Sequence, residues 1–185
     1  MRRGTAPLPG RLSLRRQYVM PLSETDLLWL SGKLSQVDIL RDLSADEVAR
    51  LAQGIDKAEI PMGRPILRQG HRAEAFYLIR AGAVSVWAET PEGSERLAVL
   101  AEGESFGEVS ILTGQACNAG AVADQDCVLF TIPPKALREV VRKNPALAER
   151  MSRAVAERSG ARALGIDVAP LDRAGMLDRV RLFFK

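Results

Sequence analysis

The chain has 185 residues, 46% of them hydrophobic, with a formal net charge of +3, two cysteines and one histidine. That length bounds it to one compact domain with extensions, or two small ones, and that apolar content excludes a disordered chain. A lone His71 and no Cys-x-x-Cys pair exclude a metal site of ordinary ligand spacing and leave little acid–base equipment near neutral pH, so neither an enzyme nor a bound metal or cofactor is expected.

No apolar run approaches the ~18–20 residues of a membrane span, and no apolar core follows the N-terminal charges as in a signal peptide. A cytoplasmic protein with two reduced thiols, Cys117 and Cys127, is the expectation. Arg2, Arg3, Arg11, Arg15 and Arg16 crowd residues 1–16 with no acid among them. Such a run is either a solvated tail or a contact with an acidic partner or lipid.

In chain order, Pro7, Pro9, Gly10 and Pro21 flank "RLSLRRQYVM", a short strand or a tail needing an outside partner. Ser23, with Asp26 three positions on, predicts a capped helix carrying Leu27, Leu28 and Leu30. Ser44 and Glu47 form a second capping box, followed by the one-face stripe Val48, Leu51, Ala52 and Ile55. From residue 57 the pattern turns β-like. The runs "AEIPM", "PILRQ", "AFYLIRA", "AVSVWAE", "RLAVLA", "GAVA" and "DCVLFTI" alternate with turn residues, as in a small sandwich or barrel. After Pro133-Pro134 helical spacing returns, with Leu137, Val140 and Val141. A second helix from Pro145 carries Leu147, Met151, Ala154 and Val155. A last amphipathic segment gathers Met176, Leu177, Val180, Phe183 and Phe184, to dock on its own domain or to meet a partner or another copy.

One helix interrupts the β region, inside "GESFGEVSILTGQACNAGAVA" (103–123). This stretch, with "ILRQGHRAEAFYLIRAGAVSVW" (66–87) before it and helices on either side, resembles the cyclic-nucleotide-binding domain family over about residues 35–160. The resemblance implies an α+β fold: a short-stranded, antiparallel, jelly-roll-like β-barrel with an embedded cassette helix, N-terminal helices before it and two C-terminal helices after. It divides the chain into a basic tail and linker helix (1–34), the nucleotide-binding-like domain (35–162) and a C-terminal linker and helix (163–185). Within the domain, the β-roll spans about 57–132 and the lid helices about 134–162. In that family Gly107 would let the loop turn where a side chain would block the ligand. Glu108 would accept a ribose hydroxyl, and the amides of the following helix would face a cyclic phosphate.

The sequence departs from the family where the phosphate's cation should be. Cys117 stands in the place of the expected Arg, Asn118 in that of a Ser or Thr, Ala116 in that of a Pro, and Ala73 in that of a hairpin glycine. No basic residue occurs between Arg96 and Lys135. The expected ligand-contacting residues are Phe106, Gly107, Glu108, Val109, Ser110, Cys117, Asn118 and Arg158, with Arg153 a second lid candidate. Arg68, Arg80 and Arg96 are candidates to replace the missing charge.

The resemblance implies a sensor that controls an effector, with cyclic AMP or cyclic GMP as the ligand, weakly held. A degenerate, non-binding scaffold is the alternative. Only about 25 residues follow the lid, too few for a helix-turn-helix unit of roughly 60–70, so no DNA partner is expected. "APLPGRLSLRR" (6–16) and the closing "LDRVRLFFK" resemble small-conductance mechanosensitive channels. An ion-channel pore domain at the inner membrane's cytoplasmic side is therefore the expected effector, and a homo-oligomer a candidate state.

Overall fold

The computed structural model describes residues 19–37, 39–41, 43–144, and 147, 149–151, 153 and 155. Strand β1 (Val19–Met20) leads into helix α1 (Glu24–Lys33), a 3-10 turn (Leu34–Gln36) and helix α2 (Ala45–Ala52). Both predicted capping boxes form. The Asp26 amide donates to Ser23 Oγ at 3.2 Å, and the Glu47 amide to Ser44 Oγ at 3.3 Å. Each acid answers by accepting from its cap's own amide.

Seven strands and one short helix follow: β2 (Asp56–Ile60), β3 (Pro65–Leu67), β4 (Phe76–Ala81), β5 (Val84–Thr90), β6 (Gly93–Leu100), β7 (Ser105–Phe106), helix α3 (Glu108–Thr113) and β8 (Gly120–Ala123). Strand β9 (Cys127–Ile132) and helix α4 (Pro134–Lys143) complete the series. The fold is mixed helix and antiparallel strand with a jelly-roll-like arrangement, as expected, but the barrel is not closed. The strands form two open sheets, ordered β1-β2-β9-β4-β7 and β3-β8-β5-β6. Turn spacing reports where strands end and says nothing of whether the last pair closes the ring.

The sheet containing β4 and β9 is buried on both faces. Phe76, Leu78, Phe130 and Ile132 point to one side, against Leu30, Leu34, Leu51, Leu137, Val140 and Val141 of the helical elements. Tyr77, Ile79 and Leu129 point to the other, against Val84, Val86, Leu100, Ala121 and Ala123 of the second sheet. Period-two alternation therefore sends neighbouring apolar residues into two different cores, which is why β4 reads as an unbroken apolar run. Leu147, Met151 and Val155, at helical positions, are buried in the helix-side core.

Several expectations need adjustment. Ile55 lies past the end of α2 yet is buried in the same core. The sequence stopped short of β7, too brief a strand to leave a pattern, and began β6 too late. Ser85, read as belonging to a second strand face, is buried and donates to Asp124 Oδ1 at 2.6 Å. Of "RLSLRRQYVM", Val19 and Met20 pair with Ala58 and Lys57, and the remainder lies outside the described residues. The C-terminal segment 163–185 also lies outside them.

Candidate functional site

The site begins at the end of β7. Tyr77 pairs with Phe106 across β4 and β7, and their rings stack at 5.1 Å. The chain then turns at Gly107, whose φ of +87° places it in the left-handed region. A Cβ there would lie 3.0 Å from Ala75 O and 3.2 Å from the Tyr77 ring. The glycine clears the protein's own strand β4; the expectation that it clears a ligand gains no support from these neighbours. Helix α3 starts at once, with the Ile111 amide donating to Gly107 O at 3.2 Å. The amides of Val109 and Ser110 come before that first intrahelical bond.

After α3 the chain is pinned to the turn beyond β3. The Gly70 amide donates to Cys117 O, and the Cys117 amide to His71 O, both at 2.8 Å. The Ala73 amide donates to Ser110 Oγ at 2.9 Å, and that hydroxyl donates to Gln115 O at 2.6 Å. Ser110 was expected to meet a ligand; its one hydroxyl proton is already given to the loop.

These contacts leave a cavity of about 60 Å³. Phe106, Gly107, Glu108, Val109, Ser110, Cys117 and Asn118 line it, so the structure brings these expected site residues together. Arg158 lies outside the described residues, and Arg153 is exposed. Sequence reasoning missed the facing wall of Leu67, Val86, Ala119, Gly120 and Ala121. The alternation of Val84 and Val86 with Ser85 and Trp87 was visible, but not which face would look onto the cassette.

The charge of this cavity is unusual for a phosphate site. Glu108 is fully buried. Burial pushes the Cys117 thiol up; bonds with Ser110 and Ala73 oppose that, and the Glu108 carboxylate adds to it, so the net direction is upward. Cys117 therefore presents a neutral thiol near pH 7, neither a cation nor a thiolate. Among the described residues no Lys or Arg lines the cavity.

The candidate rescuers sit elsewhere. Arg80 lies 5.0 Å over the Trp29 ring and pairs with Glu102 at 3.7 Å and Asp26 at 3.9 Å. Arg96 lies 5.9 Å over Trp87, whose neighbour Val86 is the one facing the cavity, so Arg96 belongs to the opposite face of that sheet. Arg68 follows Leu67 but is absent from the cavity wall.

A sharp glycine turn, a short helix and a buried glutamate thus meet at one cavity. Residues 57–144 match the family model of the cyclic nucleotide-binding domain. The Cyclic AMP receptor protein of Thermus thermophilus is 30% identical over 137 residues, which are 74% of this chain and 63% of that protein. The crystal structure of the sensor domain of the transcriptional regulator DNR from Pseudomonas aeruginosa superimposes with a TM-score of 0.63 at 26% identity. The match covers 78% of this chain and 98% of that one. A Rhodopseudomonas palustris protein whose name refers to a potassium channel is 27% identical over 139 residues, 75% of this chain and 33% of its own length. The chain spans less than two thirds of the length of the curated relatives it matches. The similar proteins thus carry the names of a receptor protein, a transcriptional regulator and a potassium channel, and the mechanosensitive-channel context draws no support from these matches. No helix among the described residues is long and apolar enough to cross a membrane.

Proposed function

We propose that this chain is a regulatory sensor in which a nucleotide-type ligand, seated between α3 and the Leu67–Val86 wall, controls an attached or associated effector. The observation that carries the reading is the convergence of the cassette residues on one cavity with Glu108 buried in its wall. The same cavity lacks a lining cation among the described residues, so a cyclic phosphate is held weakly. A charge-assisted hydrogen bond contributes about 1.5–3 kcal/mol, and its loss weakens binding roughly 10- to 100-fold.

The effector we favour is an ion-channel pore domain, on the strength of the runs at 6–16 and 177–185 and of the R. palustris relative. That places the domain on the cytoplasmic side of a membrane, with oligomerisation following the channel's. Reading the gene upstream tests this: a pore-forming segment in the same frame supports it, and a frame opening at Met1 with no channel gene beside it counts against it.

A second reading, a degenerate scaffold that binds no ligand, is favoured by Cys117 and Asn118 alone. Calorimetric titration of the full chain with cyclic AMP and cyclic GMP separates the two. The sensor reading expects measurable binding no tighter than micromolar. Nanomolar affinity would mean that another cation serves the phosphate.

A further inference from the structure

We propose that the free edge of β6 receives residues 11–16 of a second copy of this chain as an added strand, the two copies exchanging these segments. The contact lies outside the cavity and forms whether or not a ligand is bound there.

Strand β6 ends its sheet: it pairs with β5 on one side, and among the described residues no strand pairs with the other. Such an edge presents amides and carbonyls to another chain. It also presents apolar surface, with Leu97 41% and Val99 47% exposed. Val99 stands opposite Ser85, Ser85 opposite Val122, and Val122 opposite Pro65, so a row containing three apolar residues runs from this edge across the outer face. Glu95 points the other way. It stands opposite Ala88, which alternation places with the buried Val84 and Val86. Glu92, in the turn before β6, and Glu95 are both exposed and enter no ion pair among the described residues.

The segment "RLSLRR" (11–16) matches this edge. Residues 1–16 carry five arginines and no acid. In an extended chain Leu12 and Leu14 share one face, and Arg11 and Arg15 the other. Laid along β6 with its leucines beside Val99, the segment brings its arginines to the side of Glu95 and the Glu92 turn. Opposite charges on neighbouring strands favour pairing and like charges oppose it. The two glutamates therefore admit a basic strand and turn away an acidic one.

The segment's own chain cannot reach. Short connections at 61–64 and 101–104 join β2 to β3 and β6 to β7, so β3 faces β2 and β6 faces β7 across the two sheets. Strand β1 lies outside β2, at the far edge from β6. With strands about 4.8 Å apart and sheets about 10 Å apart, a strand added outside β6 lies on the order of 25 Å from β1, through the body of the protein. Extended chain from Leu14 to Val19 spans at most about 18 Å. A second copy has no such limit, and reciprocal exchange closes a two-fold dimer.

The test is sedimentation velocity of the full chain over a range of concentrations, in low and in high salt. The expected result is a reversible dimer that salt weakens. Glu92→Arg/Glu95→Arg and Arg11→Glu/Arg15→Glu should each weaken association by roughly tenfold or more. Mixing the two variants should restore it, because each offers the other a segment and an edge of opposite charge. Thermal unfolding checks that these exposed substitutions leave the fold intact. Should the glutamate variant fail to fold, Leu97→Lys, which places a charge on the same edge, takes its place and should weaken the dimer as well. A wild-type chain that stays monomeric throughout overturns the proposal. So does a dimer that Arg11→Glu/Arg15→Glu leaves unchanged, which would mean that the copies meet through another surface. Folded charge variants that fail to associate with each other on mixing overturn it too.

Discussion

On the proposed sensor reading, Cys117 occupies the position on which a phosphate's affinity turns; its backbone is fixed by two hydrogen bonds and its thiol is neutral. An arginine placed there would supply the missing charge without rebuilding the loop. Cys117→Arg is expected to tighten cyclic AMP or cyclic GMP binding by roughly tenfold or more, the worth of one charge-assisted bond. Unchanged calorimetric affinity would mean that the guanidinium pairs with Glu108 instead of reaching the ligand. Gly107 and Gly114 offer a matched pair, since both have positive φ. An alanine at 107 also meets Ala75 O and the Tyr77 ring, whereas 114 has open space. Gly107→Ala should cost about 1–3 kcal/mol in urea unfolding and Gly114→Ala about 1 kcal/mol, a difference that isolates the crowding from the backbone strain. Equal losses would refute the crowding argument. The caps at Ser23 and Ser44 were legible because a capping box is written within four residues. The burial of Glu108 and the neutrality of Cys117 were not, because both depend on strands that are distant in sequence and fold over the cassette.

Helix α1 shows what is legible at the scale of an element and what is not. Its start and its leucines could be read directly, but its docking could not. Trp29 Nε1 donates to Glu102, 73 positions away, at 3.0 Å, and Lys57 Nζ donates to Asp26, 31 positions away, at 3.1 Å. The Trp29 ring also lies 5.5 Å from Phe130. One side chain thus touches the β6–β7 connection, β9 and, through Arg80, β4. Trp29→Ala removes all three contacts at once. The expected loss is roughly 2–3 kcal/mol, below the ~3–5 kcal/mol of a fully buried aromatic because Trp29 is only partly buried. Chemical denaturation measures it. A change below ~0.5 kcal/mol would show that α1 is held by Leu30 and its capping box alone. The same distinction explains the barrel that proved open: local pattern gave each strand, while sheet edges are a property of pairs.

For the molecule as a whole, the apolar positions were visible in the sequence, but their division between two cores was not. It depends on the pleat of β4 and β9 and on which layer covers each face. The two capping acids reach across this layered arrangement. Asp26 caps α1 and ties it to Lys57 of β2; Glu47 caps α2 and accepts from Asn144 Nδ2, at the end of α4, at 2.9 Å. Burial opposes ionisation of Asp26, but the Ser23 amide and hydroxyl and the Lys57 ammonium outweigh it, so its carboxyl lies below the ordinary value of 3.8. For Glu47 the Ser44 amide dominates, burial opposes, and Asn144 assists, leaving it below the ordinary value of 4.5. A carboxyl that is more acidic in the folded chain stabilises it fully above its unfolded pKa. That contribution fades as pH falls through the folded value. Stability should therefore be level with respect to these two groups at neutral pH and begin to fall near pH 4.5, as protons release α1 and α2 from the β-sheet and α4. Urea unfolding of the wild type and of Asp26→Asn/Glu47→Gln at pH 7, 5.5, 4.5 and 3.5 measures the effect. The double variant should be less stable at pH 7, by about 1–3 kcal/mol per charged hydrogen-bond partner lost. Its stability should also fall less steeply below pH 4.5. An equal slope in both proteins would mean that other carboxylates, outside these two helix starts, carry the acid sensitivity of the fold.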